Sequence, residues 1–531
     1  MKSTFIAALA GGLGLLATTV IPVQAKTPAD TLIMAHAIDG LISLDPAEVF
    51  EFIGGELANN IYLRLVVADE TDFTKVKGGA AESWSTSEDG KSYTFKMRKG
   101  VTFATSGKPV TAKDAAFSLQ RVVKLGKSPA FILTQFGWNA GNVETMVQAV
   151  DDETLKLTIP ETLAPSLVLN ALSAGVSGIV DREVALANQK DNDLGHAWLQ
   201  KNTAGAGAYR LVDWRPNEVV VLEANKKFFR GAPAMNRIIM RHIPEATTQR
   251  LMLEKGDVDV ARQLGAEQLE AVAANKELKL EIDDKATVFY LGLNEAVPQL
   301  KNPKVAEALR WLVDYDGIAG TLLKRQYRVH QAILGKGGFA ALNDRPYKFD
   351  AAKAKALLAE AGYPNGFKLS LDVFASSPYK AIAEAIQSSF AKAGVEVVLN
   401  TADRRQTLTR YRARGHEAVL MYWSPDYGDP HSTVDFFVNN PDNSADGKVK
   451  TAAWRNSWKD PALEELMRAA VRERDTGKRE AMYLDLQRKM QTQSPMIVLF
   501  QQTEPAAMRA NVQNWISGPS FDTYVFWKIK K

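Results

Sequence analysis

The sequence contains no cysteine in its 531 residues. Disulfide bonds, cysteine nucleophiles, cysteine-ligated zinc and iron–sulfur clusters are therefore excluded. A chain of this length buries enough apolar surface to fold without disulfides. Its six histidines are dispersed, and none stands in the His-x-x-x-His spacing of a zinc helix. We expect neither a cofactor nor a resident metal.

An excess of charge of one sign is also missing. Lys and Arg total 65, Asp and Glu total 61, and the two signs are interspersed, so no basic stripe is present for nucleic acid. Gly-x-Ser-x-Gly, His-Glu-x-x-His and phosphate-binding-loop motifs are absent. A secreted hydrolase using paired carboxylates such as Asp426 and Asp429 is the alternative from another functional class. The sequence favours a binding protein that is not an enzyme.

The one long apolar stretch lies at the N-terminus. Lys2 precedes a run of apolar and small residues, Phe5–Ile21, and positions 23–25 (Val-Gln-Ala) form a small-x-small cleavage pattern. These features predict a signal peptide over residues 1–25. A retained anchor is the alternative, although a membrane helix needs about 20 apolar residues. Lys26 stands where a lipid-anchored bacterial protein needs cysteine, so we expect a periplasmic protein without a lipid anchor.

The remaining sequence alternates strand and helix signals and shows no repeat of 20–50 residues, which excludes repeat architectures. The alternating segment Tyr93–Met97 predicts a strand. Thr111 and Asp114 predict a capping box at the start of a helix, and Gly256 suits the left-handed end of another helix. The chain is therefore predicted to be mixed α/β, with strands and helices in both halves.

Six pieces of this pattern, in this order, resemble the extracellular solute-binding proteins of family 5, the dipeptide, oligopeptide and nickel group. The most specific piece, Trp84–Arg121, combines an acidic-Gly turn with Ser-Tyr-Thr-Phe, Arg-Lys-Gly and Pro-Val-Thr-Ala-Lys-Asp. The other five pieces are Ser43–Pro46, Gly205–Trp214, Arg250–Asp259, Asn302–Val305 and Ala356–Phe367. The similarity extends from about residue 43 to the C-terminus.

The resemblance implies an α/β, two-lobed periplasmic-binding-protein (Venus-flytrap) fold of the large three-domain type. Domain I would comprise residues 26–62, 205–290 and 501–531, domain II would be inserted at 63–204, and domain III, the second lobe, would span 291–500. A small ligand would bind in the cleft between the lobes, which close over it. The partners would be an ABC permease and ATPase subunits in the inner membrane, and the binding protein would be a monomer. A chaperone role or a chemoreceptor partnership would suit the same fold.

The candidate ligand loop begins at Tyr422, where a strand ends in a Pro- and Gly-rich segment with two acids. Peptide-binding members of the family resemble it at Trp-x-x-Asp, which maps onto Trp423 and Asp426. The resemblance implies that Asp426 binds the ligand's α-ammonium and that backbone beside Trp423, where Tyr422 and Ser424 stand, pairs with the peptide as an added strand. A buried ammonium needs a carboxylate partner. Turn capping is the alternative role for Asp426 and Asp429.

One residue expected from the family is missing. Peptide-binding relatives place an arginine for the ligand's carboxylate three positions before that Trp, or just before the helix that begins here near Tyr379. This sequence has Leu420 at the first place and Ser376–Pro378 at the second. Arg404 is the candidate for the missing cation, and a solvated surface charge is its alternative role.

Phe50, Glu51 and Phe52 stand where relatives line the cleft from the first lobe. They would suit a ligand with an apolar or sugar-like face and a cationic group, and ordinary core is the alternative for the two aromatic rings. His431 follows the candidate loop and is the histidine nearest to the expected cleft. The favoured ligand is a small peptide or an amino-bearing, peptide-like compound; opine- or sugar-type compounds and nickel complexes are the alternatives.

Overall fold

A computed structural model describes residues 27–531. The predicted signal peptide lies outside the described residues. Within 27–531, no helix is both long and apolar enough to cross a membrane.

The strands are distributed along the whole described chain. In chain order they are β1 (Thr31–His36), β2 (Val66–Asp69), β3 (Asp72–Gly78), β4 (Ala81–Thr86), β5 (Ser92–Met97), β6 (Val147–Ala149), β7 (Thr154–Thr158), β8 (Tyr209–Arg215), β9 (Val219–Ala224), β10 (Arg237–His242), β11 (Val260–Ala261), β12 (Leu278–Leu293), β13 (Tyr327–Val329), β14 (Lys368–Phe374), β15 (Glu396–Ala402), β16 (Ala418–Trp423) and β17 (Met496–Arg509).

The helices alternate with these strands. In chain order they are α1 (Phe52–Ile61), α2 (Ala112–Leu125), α3 (Phe131–Thr134), α4 (Val143–Met146), α5 (Pro165–Ser173), α6 (Arg182–Ala187), α7 (His196–Leu199), α8 (Ala246–Lys255), α9 (Ala266–Ala274), α10 (Pro303–Leu312), α11 (Tyr315–Gly320), α12 (Ala351–Glu360), α13 (Tyr379–Ala391), α14 (Arg404–Arg412), α15 (Pro430–Val438), α16 (Ala452–Arg455), α17 (Pro461–Arg472) and α18 (Thr476–Gln493).

Two long strands, β12 and β17, connect the two lobes. The main sheet has the order β15-β14-β16-β12-β17-β11-β1-β10-β9-β8, and β13 adds to β17. One part of this sheet, with β13–β16, forms the second lobe, and the other part, with β1 and β8–β11, forms the first lobe. The antiparallel ladder of β12 and β17 loses its regular register between Asp284 and Val288. Its pairing is therefore interrupted where the chain passes from one lobe to the other.

A four-stranded sheet, β4-β5-β7-β6, belongs to a domain inserted into the first lobe. Its core is built around side chains such as Tyr93, Leu119 and Trp138 and is distinct from the core around Leu57 and Tyr209 in the rest of that lobe. The second lobe has separate cores on the two faces of its sheet. The limits expected at residues 62, 204, 290 and 500 stay a prediction.

A buried ion pair ties the inserted domain to the rest of the first lobe. Asp45 accepts hydrogen bonds from Arg121 Nη1, at 2.7 Å, and from Arg121 Nη2. His196 Nδ1 lies 2.8 Å from the same carboxylate. Two of the sequence pieces that carried the family resemblance, Ser43–Pro46 and the segment ending at Arg121, therefore meet in this one contact.

Local predictions from the sequence agree with the structure. Tyr93–Met97 lies within strand β5. The backbone N–H of Thr111 donates to Asp114 Oδ2 at 2.9 Å, which is one half of the expected capping box at the start of α2. Gly256 ends α8 with a φ of +83°, a left-handed conformation that glycine adopts without steric cost.

A buried cluster of charges holds the lobe-connecting strands in place. Glu504 on β17 lies 3.1 Å from Arg262 Nη2 and 3.0 Å from Lys285 Nζ. Arg262 also donates to Glu56 at 2.6 Å, and its guanidinium lies 3.9 Å above the ring of Tyr524. Burial by itself raises the pKa of the Glu504 carboxyl, but the charges of Arg262 and Lys285 outweigh burial and lower it to about 2.

The variant Glu504→Gln should lower the free energy of unfolding by about 3 kcal/mol, because it leaves two buried cations short of a counter-charge. In the native protein, the lowered pKa of Glu504 contributes stability above pH 4.5, and this contribution is lost as pH falls from about 4.5 towards 2. Urea denaturation between pH 3 and pH 7 measures both effects.

Glu281→Gln is the matched control on β12, because Glu281 forms a partly exposed pair with Lys279 at 3.1 Å. We expect this control to cost less than about 0.5 kcal/mol. If both substitutions lowered the free energy of unfolding by the same amount, the buried charge cluster around Glu504 would not stabilise the protein as inferred.

Candidate ligand-binding site

A cavity lies between the lobes, with about 1050 Å³ of space not occupied by protein and part of it open to solvent. Residues from the first lobe, its inserted domain and the C-terminal segment form one wall, and residues from the second lobe form the other. The polar and charged side chains that line it are those of Asn59, Arg64, Asn170, Ser173, Asp426, Asp429, Thr433, Ser520, Asp522 and Thr523. A concave, largely apolar site with a few convergent polar groups is typical of small-molecule binding.

Asp426 enters this cavity from the loop that follows β16. Its backbone N–H donates to Ser432 Oγ at 2.9 Å, which fixes the loop against α15. Its half-buried carboxylate accepts no hydrogen bond from any residue in 27–531. Burial, and secondarily the charge of Asp435, raise the pKa of Asp426 to about 7. The cavity therefore contains a carboxylate whose negative charge the protein does not compensate.

Asp429 differs sharply from Asp426, although it is only three residues away. It caps α15 by accepting from the backbone N–H of His431 at 3.0 Å. Its two oxygens also accept from Arg479 at 2.8 and 2.7 Å, and both side chains are buried. The charge of Asp429 is thus fully paired, and the capping role that the sequence left open for it is the one observed.

Arg64 enters the same cavity from the opposite wall, in the link between α1 and β2. Only 9% of its surface is exposed. Its Nη1 donates to Asn59 Oδ1, and its Nε has no hydrogen-bond partner in the described chain. Burial lowers the pKa of Arg64 to about 10, and the charge of Asp522 opposes this shift only in part.

The rest of the cavity wall is largely apolar. Phe73 lines it from the first lobe, and Leu334, Phe339 and Tyr427 line it from the second. At Gly428 the lobes approach so closely that an added Cβ would lie 3.0 Å from Asn170 Oδ1 on the opposite side. The backbone of the ligand loop can therefore come against the inserted domain without a side chain in between.

The lobes also touch each other directly beside the cavity. The hydroxyl of Tyr427 donates to Gln135 Oε1 at 3.0 Å. Arg479 Nη1 donates to Ser166 Oγ at 2.9 Å, and the N–H of Ala164 donates to the carbonyl of Val471 at 2.8 Å. The inserted domain and the second lobe are thus in direct contact beside the cavity.

The sequence placed Tyr422, Trp423 and Ser424 beside the ligand, but these side chains do not line the cavity. Tyr422 packs on Phe289, with ring centroids 5.9 Å apart. Trp423 stacks on Phe436 at 3.7 Å and donates to Thr433 Oγ1. Ser424 Oγ lies 3.0 Å from Thr287 Oγ1. These three residues support the strand end from which the loop of Asp426 departs.

The other predicted site residues lie elsewhere. Arg404 donates to the hydroxyl of Tyr422, outside the cavity. Glu51 and Phe52 line a second, more open cavity that also lies between the lobes, with Tyr327 and Pro378 of the second lobe on its far side. Phe50 is 48% exposed and packs edge-to-face on Phe131, 6.1 Å away.

His431 is half-buried at the start of α15. Its Nδ1 is buried without a partner in the described chain, and burial lowers its pKa. Of the predicted site residues, Asp426 lines the cavity that also contains Arg64, whereas Glu51 and Phe52 line the second cavity.

Sequence reasoning missed the first-lobe side of the site. Arg64 stands in the unremarkable segment Leu63-Arg64-Leu65, and Asn59 lies in the last turns of a helix. Neither segment has a motif or a charge pattern. On the opposite wall, the run Gly335-Lys-Gly-Gly338 of the second lobe supplies cavity-lining glycines and was a visible loop signal that could have drawn attention to that wall.

A cleft closed by two lobes defines a ligand-capturing protein, and comparison with known proteins identifies the family. The model for bacterial extracellular solute-binding proteins, family 5 Middle, matches residues 75–445. Over 519 residues the chain is 27% identical to the probable D,D-dipeptide-binding periplasmic protein DdpA of Escherichia coli K12, covering 96% of each. It is 26% identical to heme-binding protein A of Haemophilus influenzae, covering 93% of this chain and 92% of that one.

Among solved structures, HbpA2 from Haemophilus parasuis matches with a TM-score of 0.81 and 25% identity, over 94% of this chain and 99% of that one. The chain belongs to the family-5 bacterial extracellular solute-binding proteins, and the predicted two-lobed binding-protein fold is confirmed.

The variant Asp426→Asn should stabilise the ligand-free protein by about 1–3 kcal/mol at pH 8, because the raised pKa of Asp426 means that its ionisation opposes folding. This cost of ionisation grows as pH rises from about 4 to about 7 and is absent below pH 4. The stability difference between variant and native protein should follow the same course in denaturant titrations.

Asp429→Asn provides the contrast. It should destabilise the protein by about 3–5 kcal/mol, because Arg479 would be left buried without its carboxylate. If Asp426→Asn were less stable than the native protein at pH 8, the negative charge of Asp426 would have to be stabilised by other groups of the native protein, against this prediction.

Proposed function

We propose that the protein is the periplasmic binding component of an ABC importer and captures a small peptide or another amino-bearing, peptide-like solute between its lobes. The observation that carries this proposal is the uncompensated carboxylate of Asp426 in the interlobe cavity. Membership of family 5 and the similarity to a probable D,D-dipeptide-binding protein support it.

An ammonium group is the ligand chemistry that best suits Asp426. Leaving a carboxylate charged in a closed cavity is costly unless a cation meets it. A charge-assisted hydrogen bond from a ligand ammonium contributes about 1.5–3 kcal/mol and also offsets the cost of ionising the acid. The apolar side chains of Phe73, Phe339 and Tyr427 would contact the aliphatic or aromatic parts of the solute.

Closure of the lobes would couple binding to transport. A ligand that contacts both walls interacts with both only in the closed state, and its differential affinity shifts the population towards that state. The permease pair would then recognise the closed form and receive the solute, and separate ATPase subunits would drive import. In this proposal the binding protein acts as a monomer in the periplasm and catalyses no reaction.

Calorimetry against a panel of dipeptides, tripeptides, D-Ala-D-Ala, glutathione and hemin tests the proposed ligand class. We expect at least one peptide to bind, and its N-acetylated form to bind at least about tenfold more weakly because the ammonium partner of Asp426 is lost. Affinity should fall about tenfold or more between pH 8 and pH 5.5, since protonation with a pKa of about 7 removes the carboxylate.

In Asp426→Asn, affinity should be low at every pH, and the difference between free and N-acetylated peptide should disappear. Asp403→Asn, which removes a carboxylate charge at the N-cap of α14 outside the cavity, is the control and should keep native affinity. The proposed ligand class would be refuted by binding of hemin alone, or by peptide binding that is indifferent to Asp426.

Gln135→Ala should weaken peptide affinity about threefold to tenfold, because it removes the hydrogen bond that Tyr427 makes across the closed lobes. Small-angle scattering should show that the native protein becomes more compact on adding peptide and that the variant needs more peptide for the same change. Gln148→Ala, an exposed change in the same inserted domain, should match the native protein. Scattering that does not respond to a bound peptide would contradict closure.

A further inference from the structure

Arg64 is the one basic side chain among the described residues that line the cavity of Asp426. Two other buried arginines of the described chain are matched by carboxylates. Arg479 is paired with Asp429 at 2.7 Å, and Arg262, in the cluster between the lobes, is paired with Glu56 at 2.6 Å. Arg64 has no carboxylate of the described chain within the 4.0 Å of an ion pair.

The surroundings of Arg64 hold its side chain without neutralising it. Asn59 Oδ1 accepts from Nη1 of Arg64, and Asn59 Nδ2 in turn donates to the carbonyl of Asp522 at 2.7 Å. Asn59 is therefore fixed at both ends of its amide. The guanidinium presents five N–H donors in a planar fork that matches a carboxylate, and its Nε is buried without a partner in the part of the chain that the structure describes.

The acidic and basic groups of the cavity stand on opposite lobes. Asp426 comes from the second lobe and Arg64 from the first, and each lacks a charged partner. Asp522, the remaining unpaired acid in the lining, belongs to the wall of Arg64 and influences it without forming an ion pair. This separation of charge is complementary to a ligand with an ammonium at one end and a carboxylate at the other.

We infer that Arg64 binds the carboxylate of the solute, so that a zwitterionic peptide spans the cavity with its ammonium on the second lobe and its carboxylate on the first. This inference rests on the proposed function and adds the second anchoring group. It also accounts for Leu420 and Ser376–Pro378 at the two places where an arginine was expected, since the cation is supplied from the other wall.

With one charged partner on each lobe, a bound ligand would connect the two lobes. A ligand could pair with Asp426 alone or with Arg64 alone while the lobes are apart. One extended ligand can pair with both residues only when the lobes close and the two walls face each other. The site should therefore select against solutes that lack either charged end, because each would leave one buried group of the protein unpaired.

The test compares peptides as free acids with their C-terminal amides by calorimetry, using the dipeptide and tripeptide panel with native protein, Arg64→Gln and Arg64→Lys. In the native protein, amidation should weaken binding at least tenfold. In Arg64→Gln, the free acid should bind as weakly as the amide. Arg64→Lys should retain part of the preference for the free acid, because the charge is kept and the fork geometry is lost. N-acetylation should weaken binding in all three proteins, since it acts through Asp426.

Arg310→Gln is the matched control. Arg310 is also buried, carries an unpartnered Nη1 and lies in the second lobe outside the interlobe cavity. It should leave the ratio of free-acid to amide affinity unchanged even if it lowers the melting temperature.

If Arg64→Gln fails to fold, the comparison of free acids with amides in the native protein still tests the role of Arg64. Equal binding of free acids and amides by native protein would overturn the role of Arg64 while leaving a peptide-binding function in place. A preference for free acids that survives in Arg64→Gln would overturn it as well. If no peptide in the panel binds, the proposed function fails and the inference falls with it.

Discussion

The central constraint on this molecule is the free-energy cost of placing an ionisable carboxylate in the cavity between the lobes without a partner. Asp426 accepts no hydrogen bond from the described chain, and burial raises its pKa to about 7. Its neighbour Asp429 shows what the fold does when a carboxylate is structural, because Arg479 pairs with both of its oxygens. The contrast separates a carboxylate whose charge the protein pairs from one whose charge it leaves unpaired, and an unpaired acid with a shifted pKa in a cleft is a candidate for ligand binding.

Two groups of buried charges lie between the lobes, and they differ in how they are paired. In the cluster between the lobes, Glu504 lies between Arg262 and Lys285, so the lobe-connecting strands carry a compensated set of charges. The cavity walls instead hold Asp426 and Arg64 on opposite lobes. Compensated charges thus lie along the lobe-connecting strands β12 and β17, whereas Asp426 and Arg64, which lack ion-pair partners, lie on the cavity walls.

Local patterns predicted the fold well because they depend on nearby residues. The cap at Thr111, the glycine that ends α8 and the six ordered family pieces all follow from short segments. The cavity was predicted only in part, because it joins segments far apart in the chain. Asp426 was predicted through its Trp-x-x-Asp context, whereas Arg64 has no local signature. The positions of Phe50 and Phe52 relative to the cavities depend on the folded lobes and could not be predicted from their local sequence.

The half-titrated state of Asp426 also has a thermodynamic consequence near neutral pH. With a pKa of about 7, roughly half of the ligand-free molecules carry a proton on this acid. Capturing a cation there selects the ionised form, so each binding event would expel about half a proton into the medium. The heat of binding would then include the ionisation heat of whatever buffer takes up that proton.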